Sequence, residues 1–252
     1  MPTAPARPFA RKRASLFPPV IGCDEVGRGA LCGPVVVCAV WFDPCSLPKG
    51  LLARLDDSKR IDAGERAGLY PLIARAARVQ FAARSARHID VLNIRQATLQ
   101  AMLQAVTRLE LDAPVRTDGI DVPRGLGLDA RAVVRGDATV PQIAAASIMA
   151  KVLRDRLMAR LGTRHAAYCW HSNAGYGTRV HRDAIRAHGH TAHHRRSFGD
   201  LFAELSGAGS SGSETSGTGK PGTGTSGWGE RLVAQAPPDA QRLHAVDDVV
   251  DA

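Results

Sequence analysis

The stretch VIGCDEVGRGALCGPVVVCAVWF, residues 20–42, contains two apolar runs joined by a turn rich in glycine. The runs at 20–25 and 35–42 have the composition of β-strands, and the second is rich in Val, Cys, Ala and Trp. Because their connection is too short for a crossover helix, the two strands are predicted to pair antiparallel. Asp24 and Glu25 end the first strand, so two carboxylates are predicted directly before the turn.

Strand and helix patterns alternate along the sequence that follows. Further strands are predicted at 78–84, 115–119 and 132–136. Helices are predicted at 63–77 with a kink at Pro71, at 89–109, at 143–161, and at 178–188 before Gly189. The helix at 143–161 opens with small side chains, which let a backbone approach either a sheet or a phosphate chain.

The two ends of the chain differ in composition from its centre. Residues 1–19 hold four basic and no acidic side chains and are predicted to form a disordered basic arm. Of the 22 residues in 206–227, 18 are Gly, Ser or Thr, so 206–252 is predicted to be a disordered tail. The remaining residues, 20–205, are long enough for one domain with a sizeable core.

Basic side chains outnumber acidic ones. The chain has 33 Lys and Arg against 24 Asp and Glu, a net charge of +9, and residues 1–205 alone carry +12. Such a surplus suits nucleic acid, and equally a ribosome or a membrane surface. The charge alone therefore leaves the partner open.

Five cysteines form an odd set without a C-x-x-C pair, which favours reduced thiols in a cytoplasmic protein. Residues 11–13 and the run ending at Cys23 imitate a lipoprotein signal, but Pro18 and Pro19 interrupt its apolar part. No segment approaches the roughly 20 apolar residues of a membrane span. We therefore predict a cytoplasmic monomer without a membrane partner.

Four carboxylates lie at predicted strand ends and turns: Asp24, Glu25, Asp118 and Asp137. One such acid is routine, but four from three apolar segments favour a shared cation site, because carboxylates are costly to bury unpaired. Hard oxygen ligands without convergent His or Cys suit Mg²⁺ or Mn²⁺. Two such ions about 4 Å apart can support phosphodiester hydrolysis.

The turn after the acids reads Gly27, Arg28, Gly29, and its glycines allow the backbone to approach a ligand. A dinucleotide-binding loop is excluded, because Cys32 replaces the third glycine of G-x-G-x-x-G and no crossover helix fits before Val35. By itself the sequence is equally compatible with a plain tight turn.

Histidines and arginines are concentrated near the end of the predicted domain, at His188, His190, His193, His194, Arg195 and Arg196. A zinc site is disfavoured, because no carboxylate or thiol completes it and the arginines repel a cation. We predict instead a basic loop that faces phosphate.

Six blocks occur in the order seen in bacterial ribonuclease HII: CDEVGRGALCGPVV, DDSKRI, NIRQATLQAM, RGDATVPQIAAASIMAKVLRDRLM, GYGT and HRRSF. They span about residues 20–198, and their combination is far more specific than any single block. The chain therefore resembles the ribonuclease HII family. The resemblance implies a ribonuclease H-like α/β fold, with a mixed five-stranded sheet flanked by helices and a small helical C-terminal portion.

The resemblance also implies roles for individual residues. The metal ligands of a two-ion Mn²⁺ or Mg²⁺ site would be Asp24, Glu25, Asp118 and Asp137. The loop of Gly27, Arg28 and Gly29 would recognise a 2′-hydroxyl, beside which Tyr176 would stack. Contacts to the substrate phosphates, or to the acids, would come from Ser58, Lys59, Ser147, Lys151 and Arg154. Lys151 also lies four residues before Asp155, the spacing of a helical ion pair.

The implied activity is hydrolysis on the 5′ side of a ribonucleotide in duplex DNA or in an RNA–DNA hybrid, leaving 3′-hydroxyl and 5′-phosphate ends. Its setting would be the removal of misincorporated ribonucleotides. Two alternatives stay open: a ribonuclease HIII-like enzyme that prefers long hybrids, and a basic nucleic-acid-binding protein without activity. Residues 1–19 are too short for the extra N-terminal domain of the first alternative.

The sequence departs from the family pattern at three places. Ala30 stands where proline is common, and a Lys that often precedes the GYGT block is missing near Asn173. The block TDGIDVP is also a loose version of its counterpart, so Asp121 is the alternative to Asp118 as third ligand.

Overall fold

The computed structural model describes residues 8–9, 13–127 and 129–198. A five-stranded sheet lies at its centre, in the order β3, β2, β1, β4, β5. The strands are β1 (Val20–Val26), β2 (Val35–Phe42), β3 (Arg78–Arg84), β4 (Val115–Asp118) and β5 (Ala130–Val133). The β1–β2 and β2–β3 pairs are antiparallel, whereas the β1–β4 and β4–β5 pairs are parallel. The predicted mixed sheet and the antiparallel hairpin are confirmed.

Helices cover both faces of this sheet. They are α1 (Leu51–Arg54), α2 (Ala63–Ala76), α3 (Ala86–Leu92), α4 (Ile94–Thr107), α5 (Pro141–Arg164), α6 (Trp170–Asn173) and α7 (Arg179–His188). Side chains of α4 pack with Ile21, Cys23 and Val37 on one face, and α2 and α5 pack with Val36 and Cys38 on the other. Alternate residues of each strand thus enter opposite layers of the core.

The small side chains of α5 serve its approach to the sheet. A Cβ on Gly22 of β1 would lie 2.2 Å from the backbone carbon of Gln142, so the strand and the helix touch through their main chains. Ala144, Ala145 and Ala146 are fully buried in the same layer. Of the two predicted reasons for these small residues, close packing on the sheet accounts for them.

The prediction of one helix over 89–109 is wrong. Asn93 separates α3 from α4, with φ of 65° and ψ of 161°, and its side-chain oxygen accepts a hydrogen bond from the backbone N–H of Gln96. The apolar spacing continues through the break because both helices pack on the same core, so periodicity could not reveal it. The strand predicted at 132–136 is also shifted, to Ala130–Val133.

Part of the predicted disordered arm packs on the domain. The side chain of Phe9 is 1% exposed and makes an edge-on contact with Phe17, with 5.5 Å between the ring centroids. The carbonyl of Pro18 also accepts a hydrogen bond from the side chain of Gln142. The structure therefore differs from the predicted arm at these residues. The predicted tail, 206–252, lies outside the described residues.

The cysteines are all unpaired, and Cys23, Cys32 and Cys38 are buried in the core. Cys45 is exposed. Among the helices that the structure describes, none is long and apolar enough to cross a membrane.

Candidate active site

The topology of the sheet brings the predicted acids to one edge. β1, β4 and β5 are parallel neighbours, so their carboxyl ends meet at the same side, where α/β proteins bind ligands. Asp24 and Glu25 lie near the end of β1, and Asp118 is the last residue of β4. Asp137 lies in the 3₁₀ turn that follows β5. Four carboxylates from three segments thus lie along one edge.

Asp24 is the most buried of these acids, with 6% of its surface exposed. Burial raises the pKa of Asp24 well above its usual value, and the charges of Glu25 and Asp118 raise it further. A hydrogen bond from Ser147 and one of 2.7 Å from the backbone N–H of Glu25 act in the opposite direction. Burial among like charges therefore makes the anionic form of Asp24 costly, and a cation beside it would offset that cost.

Glu25 and Asp137 share this environment. Burial raises the pKa of Glu25, and Asp118 adds to the effect while Arg28 opposes it. Burial also raises the pKa of Asp137, followed by the charges of Asp57 and Asp118. The charge of Asp118 thus acts on Asp24, Glu25 and Asp137, so Asp118 links the four acids electrostatically.

Asp118, and not Asp121, lies beside the other acids. One carboxylate oxygen of Asp118 accepts a 2.7 Å hydrogen bond from the backbone N–H of Gly136. Asp121 instead forms a two-pronged ion pair with Arg95, at 2.6 and 3.1 Å, which lowers the pKa of Asp121. The alternative assignment of the third acid is therefore not favoured by the geometry.

Within the described ranges, no group of three or more His, Cys, Asp or Glu side chains is already arranged to hold a metal ion. The donors nevertheless fit Mg²⁺ or Mn²⁺, because they are hard carboxylate oxygens that raise one another's pKa. Like charges resist close approach until a cation neutralises them. Cation binding would therefore require these side chains to draw together.

The glycine turn lies beside the acids, and its two glycines have different surroundings. Gly27 has φ of 94°, and a Cβ there would lie 2.0 Å from the Nε of Arg154. A Cβ on Gly29 would meet nothing within 4 Å. Arg28 is exposed and forms an ion pair of 3.5 Å with Glu25. Gly27 thus faces the protein interior, whereas Gly29 leaves the backbone open to a ligand.

Tyr176 lies in the turn before α7 and is partly exposed. The guanidinium carbon of Arg154 is 5.3 Å from the centroid of its ring, and the Nζ of Lys151 is 6.0 Å away. Lys151 also forms the predicted ion pair with Asp155, at 2.7 Å. Two cations thus lie within about 6 Å of the ring, at distances at which cation–π attraction helps to hold it in place.

Three of the residues predicted to contact the substrate phosphates or the acids are buried. Arg154 is fully buried and donates hydrogen bonds to the carbonyl oxygens of Cys32, Pro34 and Ala174. Ser58 and Ser147 are 2% and 3% exposed, and their hydroxyls are 2.9 Å apart. Since Ser147 also hydrogen bonds to Asp24, the two serines orient an acid. Of the two predicted kinds of contact, to the substrate phosphates or to the acids, this geometry favours the second for Ser58 and Ser147, whereas Arg154 supports the backbone.

Lys59 lies near Asp137. Its side chain is exposed, and its charge lowers the pKa of Asp137 against the stronger effect of burial. A flexible cation at this point can reach a phosphate on the solvent side.

Comparisons with known proteins agree with this geometry. The family model for ribonuclease HII matches residues 21–201. The chain belongs to the ribonuclease HII family. Ribonuclease HII of Paramagnetospirillum magneticum is 49% identical over 180 residues, which cover 71% of this chain and 89% of that protein. Ribonuclease HII of Rhizobium meliloti is 46% identical over 199 residues, which cover 77% and 90%. The chain is thus a ribonuclease H, a hydrolase.

Solved structures confirm the ribonuclease H-like fold. The ribonuclease H2 of Pyrococcus horikoshii aligns with a TM-score of 0.63 at 20% identity, over 75% of this chain and 98% of that one. The ribonuclease HII of Archaeoglobus fulgidus, solved as a complex with PCNA, aligns with a TM-score of 0.58 at 26% identity, over 70% and 93%. The small helical portion after α5 completes the predicted architecture.

The histidine run that was predicted to face phosphate is partly buried, although His188, His190 and Arg196 are exposed. His194 is 2% exposed and Arg195 is fully buried. His181, which the sequence analysis did not single out, accepts a hydrogen bond from the indole N–H of Trp170 at 3.0 Å, so its Nδ1 carries the hydrogen and donates to the carbonyl of Tyr176. The Nε2 atoms of His181 and His194 are 3.2 Å apart. Residue types alone give no signal for this burial.

This network predicts acid sensitivity of the fold. Burial lowers the pKa of His194 to about 3, and the neighbouring histidines add to the effect. The unfolded chain therefore binds a proton below pH ~6.5 that the folded chain does not bind, and stability falls with falling pH by up to about 1.4 kcal/mol per pH unit. Denaturant unfolding between pH 7.5 and 5 measures this slope.

Two variants, His194→Gln and His171→Gln, separate the contribution of His194 to the pH dependence of stability from that of an exposed histidine, because His171 is exposed. His194→Gln is expected to be less stable at pH 7.5 but to show a flatter pH dependence than the parent chain. His171→Gln should keep the parent slope. An unchanged slope in His194→Gln would contradict the buried neutral histidine. The raised pKa values of Asp24 and Asp137 act in the opposite direction and are common to all three proteins.

Proposed function

We propose that this chain hydrolyses the phosphodiester on the 5′ side of a ribonucleotide embedded in duplex DNA or in an RNA–DNA hybrid, leaving 3′-hydroxyl and 5′-phosphate ends. The observation that carries the proposal is the set of four acids at the carboxyl edge of β1, β4 and β5, with Asp24 buried and its pKa raised. Such an edge is repulsive to phosphate unless divalent cations bind there, and hard carboxylates suit Mg²⁺ or Mn²⁺.

The residues of the candidate site would have three roles. The acids would hold two Mg²⁺ or Mn²⁺ ions, which supply activation of the attacking water and neutralisation of the leaving oxygen. The open backbone at Gly29 would meet the ribose 2′-hydroxyl, and Tyr176 would pack beside the sugar. The exposed cations Arg28 and Lys59 would contact phosphate. Only the 2′-hydroxyl distinguishes a ribonucleotide from its DNA neighbours, so this arrangement would recognise the ribose without contacts to the base.

We further propose that the chain acts in the cytoplasm as a monomer and removes misincorporated ribonucleotides. Its positive charge suits duplex substrates of any sequence. A ribonuclease HIII of different sequence, solved with Mn²⁺, aligns with a TM-score of 0.54 at 18% identity and so shares the fold alone.

The proposal is tested with an end-labelled DNA duplex that carries one ribonucleotide, incubated with Mn²⁺ or with Mg²⁺. The same duplex with a 2′-O-methyl group at that position, an all-DNA duplex and a continuous hybrid serve as controls. We expect one cut on the 5′ side of the ribonucleotide and none in the first two controls. The product should be ligatable, because its 3′-hydroxyl and 5′-phosphate ends are intact.

Other outcomes distinguish the alternatives. Cutting of the continuous hybrid alone would favour a hybrid-preferring enzyme of the HIII type. Binding of the duplex without cutting, with either metal, would show a nucleic-acid-binding protein without activity. Products with cyclic phosphate ends would exclude hydrolysis by an external water.

A further inference from the structure

A buried arginine joins the two ends of the glycine turn. Arg195 is fully buried, and its Nη1 donates a hydrogen bond of 2.9 Å to the carbonyl oxygen of Arg28. Its Nε and Nη2 donate to the carbonyl oxygen of Gly33, at 3.0 and 2.8 Å. One planar guanidinium thus fixes the chain at both sides of the exposed tip of the turn, which is a geometry that a lysine ammonium cannot reproduce.

The backbone around Arg195 holds the same turn. The N–H of Arg195 donates to the carbonyl of Leu31 at 2.9 Å, and the N–H of Gly33 donates to the carbonyl of His193 at 2.8 Å. The turn is also tied to the segment of Tyr176, because the N–H groups of Leu31 and Cys32 both donate to the carbonyl of Gly175. The position of Arg195 is therefore fixed independently of its side chain.

The orientation of one peptide group follows from this contact. In a trans peptide the C=O and the following N–H point in opposite directions. Because the carbonyl of Arg28 points inward to Arg195, the N–H of Gly29 points away from Arg195, and Gly29 itself is exposed with open space around it. That N–H is a hydrogen-bond donor presented to whatever lies against the turn.

We propose that Arg195 is a positioning residue for ribose recognition, which holds the carbonyl of Arg28 inward and thereby directs the N–H of Gly29 at the 2′-hydroxyl. The inference rests on the proposed function and adds to it a residue that never touches substrate. Burial lowers the pKa of Arg195 to about 9, with a contribution from the charge of Arg154, so the guanidinium remains a cation at neutral pH.

The experiment compares Arg195→Ala and Arg195→Lys with the matched control Arg186→Ala, an exposed arginine that pairs with Asp183. Turnover is measured on the duplex with one ribonucleotide, and duplex affinity is measured separately in Ca²⁺. We expect kcat to fall by roughly a hundredfold in Arg195→Ala, because misplacement of the substrate by about 1 Å costs that much. Duplex affinity should change less than about threefold, since it comes mainly from phosphate contacts.

Two further readouts separate positioning from folding. Ethylguanidinium should restore at least a tenth of the lost turnover in Arg195→Ala and none in Arg195→Lys, whose side chain fills the space. Amide hydrogen exchange should become faster in the peptide covering 27–33 and stay unchanged in β2 and α5. If Arg195→Ala shows no cooperative unfolding transition, it is not folded. Arg195→Lys, which keeps a buried cation, is then compared with the parent chain for turnover, affinity and exchange.

Failure of the positioning role of Arg195 and failure of the proposed function give different results. Failure of the parent chain to cut the duplex overturns the function, and the exchange data then decide alone whether Arg195 holds the turn. Equal loss of turnover and affinity without rescue, or unchanged exchange at 27–33, overturns the positioning role.

Discussion

Asp24→Asn is expected to lower kcat on a duplex with one ribonucleotide by at least about a thousandfold, equivalent to about 4 kcal/mol of transition-state stabilisation. Asp24 is the most buried acid of the site and lies between the charges of Glu25 and Asp118. An amide has the same shape but only one acceptor oxygen and no negative charge, so it loses the anionic oxygen that a divalent cation needs. Single-turnover cleavage with Mn²⁺ measures the loss.

The same substitution should stabilise the protein. The folded-state pKa of Asp24 is raised, so the folded chain binds a proton more readily than the unfolded chain, and stability is lost as pH rises through that pKa. At neutral pH the carboxylate is therefore destabilising, and Asn removes its charge. We expect a higher Tm without metal, a smaller rise of Tm on adding Mn²⁺, and duplex affinity that is equal or higher.

Asp121→Asn is the matched control for this prediction. Asp121 pairs with Arg95 at the surface, so its replacement should change turnover by less than about threefold. Equal losses in the two variants would contradict the assignment of the acids. A lower Tm together with lost duplex binding in Asp24→Asn would show a structural role for Asp24.

The acids could be singled out from sequence because they lie at the ends of predicted strands and in the turns that follow them, and within blocks shared with the ribonuclease HII family. Asp24, Glu25 and Asp118 lie near or at the ends of β1 and β4, Asp137 lies in the turn after β5, and the parallel arrangement of these strands brings the ends together. The break at Asn93 could not be predicted, because one residue with unusual φ and ψ leaves the helical spacing of the flanking core residues unchanged. The spacing of core residues therefore predicts which face of a helix is buried, but not whether the helix is interrupted.

The supporting polar residues were harder to predict than the acids. Ser58, Ser147, Arg154 and Arg195 have residue types that usually indicate solvent or substrate, yet their polar atoms are satisfied inside the protein. Their partners are distant in sequence, for example 162 residues between Arg195 and Gly33. The sequence shows which side chains can donate hydrogen bonds, but only the folded structure shows which carbonyl or hydroxyl oxygens accept them.

The glycines of the turn provide a second pair of variants with opposite expected effects. Gly27→Ala should destabilise the fold by roughly 2–5 kcal/mol, because φ of 94° disfavours a side chain and the new Cβ would overlap buried Arg154. Thermal or denaturant unfolding measures this loss. Arg154 cannot move away easily, since it is bonded to three carbonyl oxygens.

Gly29→Ala should leave stability within about 0.5 kcal/mol, because its Cβ would meet nothing within 4 Å. The methyl group would instead occupy the space that a ribose needs, so we expect kcat/KM on the single-ribonucleotide duplex to fall by roughly tenfold to a hundredfold. Cleavage and unfolding measured on the same preparations separate the two effects. Unchanged turnover in Gly29→Ala would place the ribose elsewhere, whereas a stability loss equal to that of Gly27→Ala would mean that both glycines serve the fold. We therefore expect Gly27→Ala to lose stability and Gly29→Ala to lose turnover. The reason is that the turn packs on Arg154 at Gly27 and exposes its backbone at Gly29.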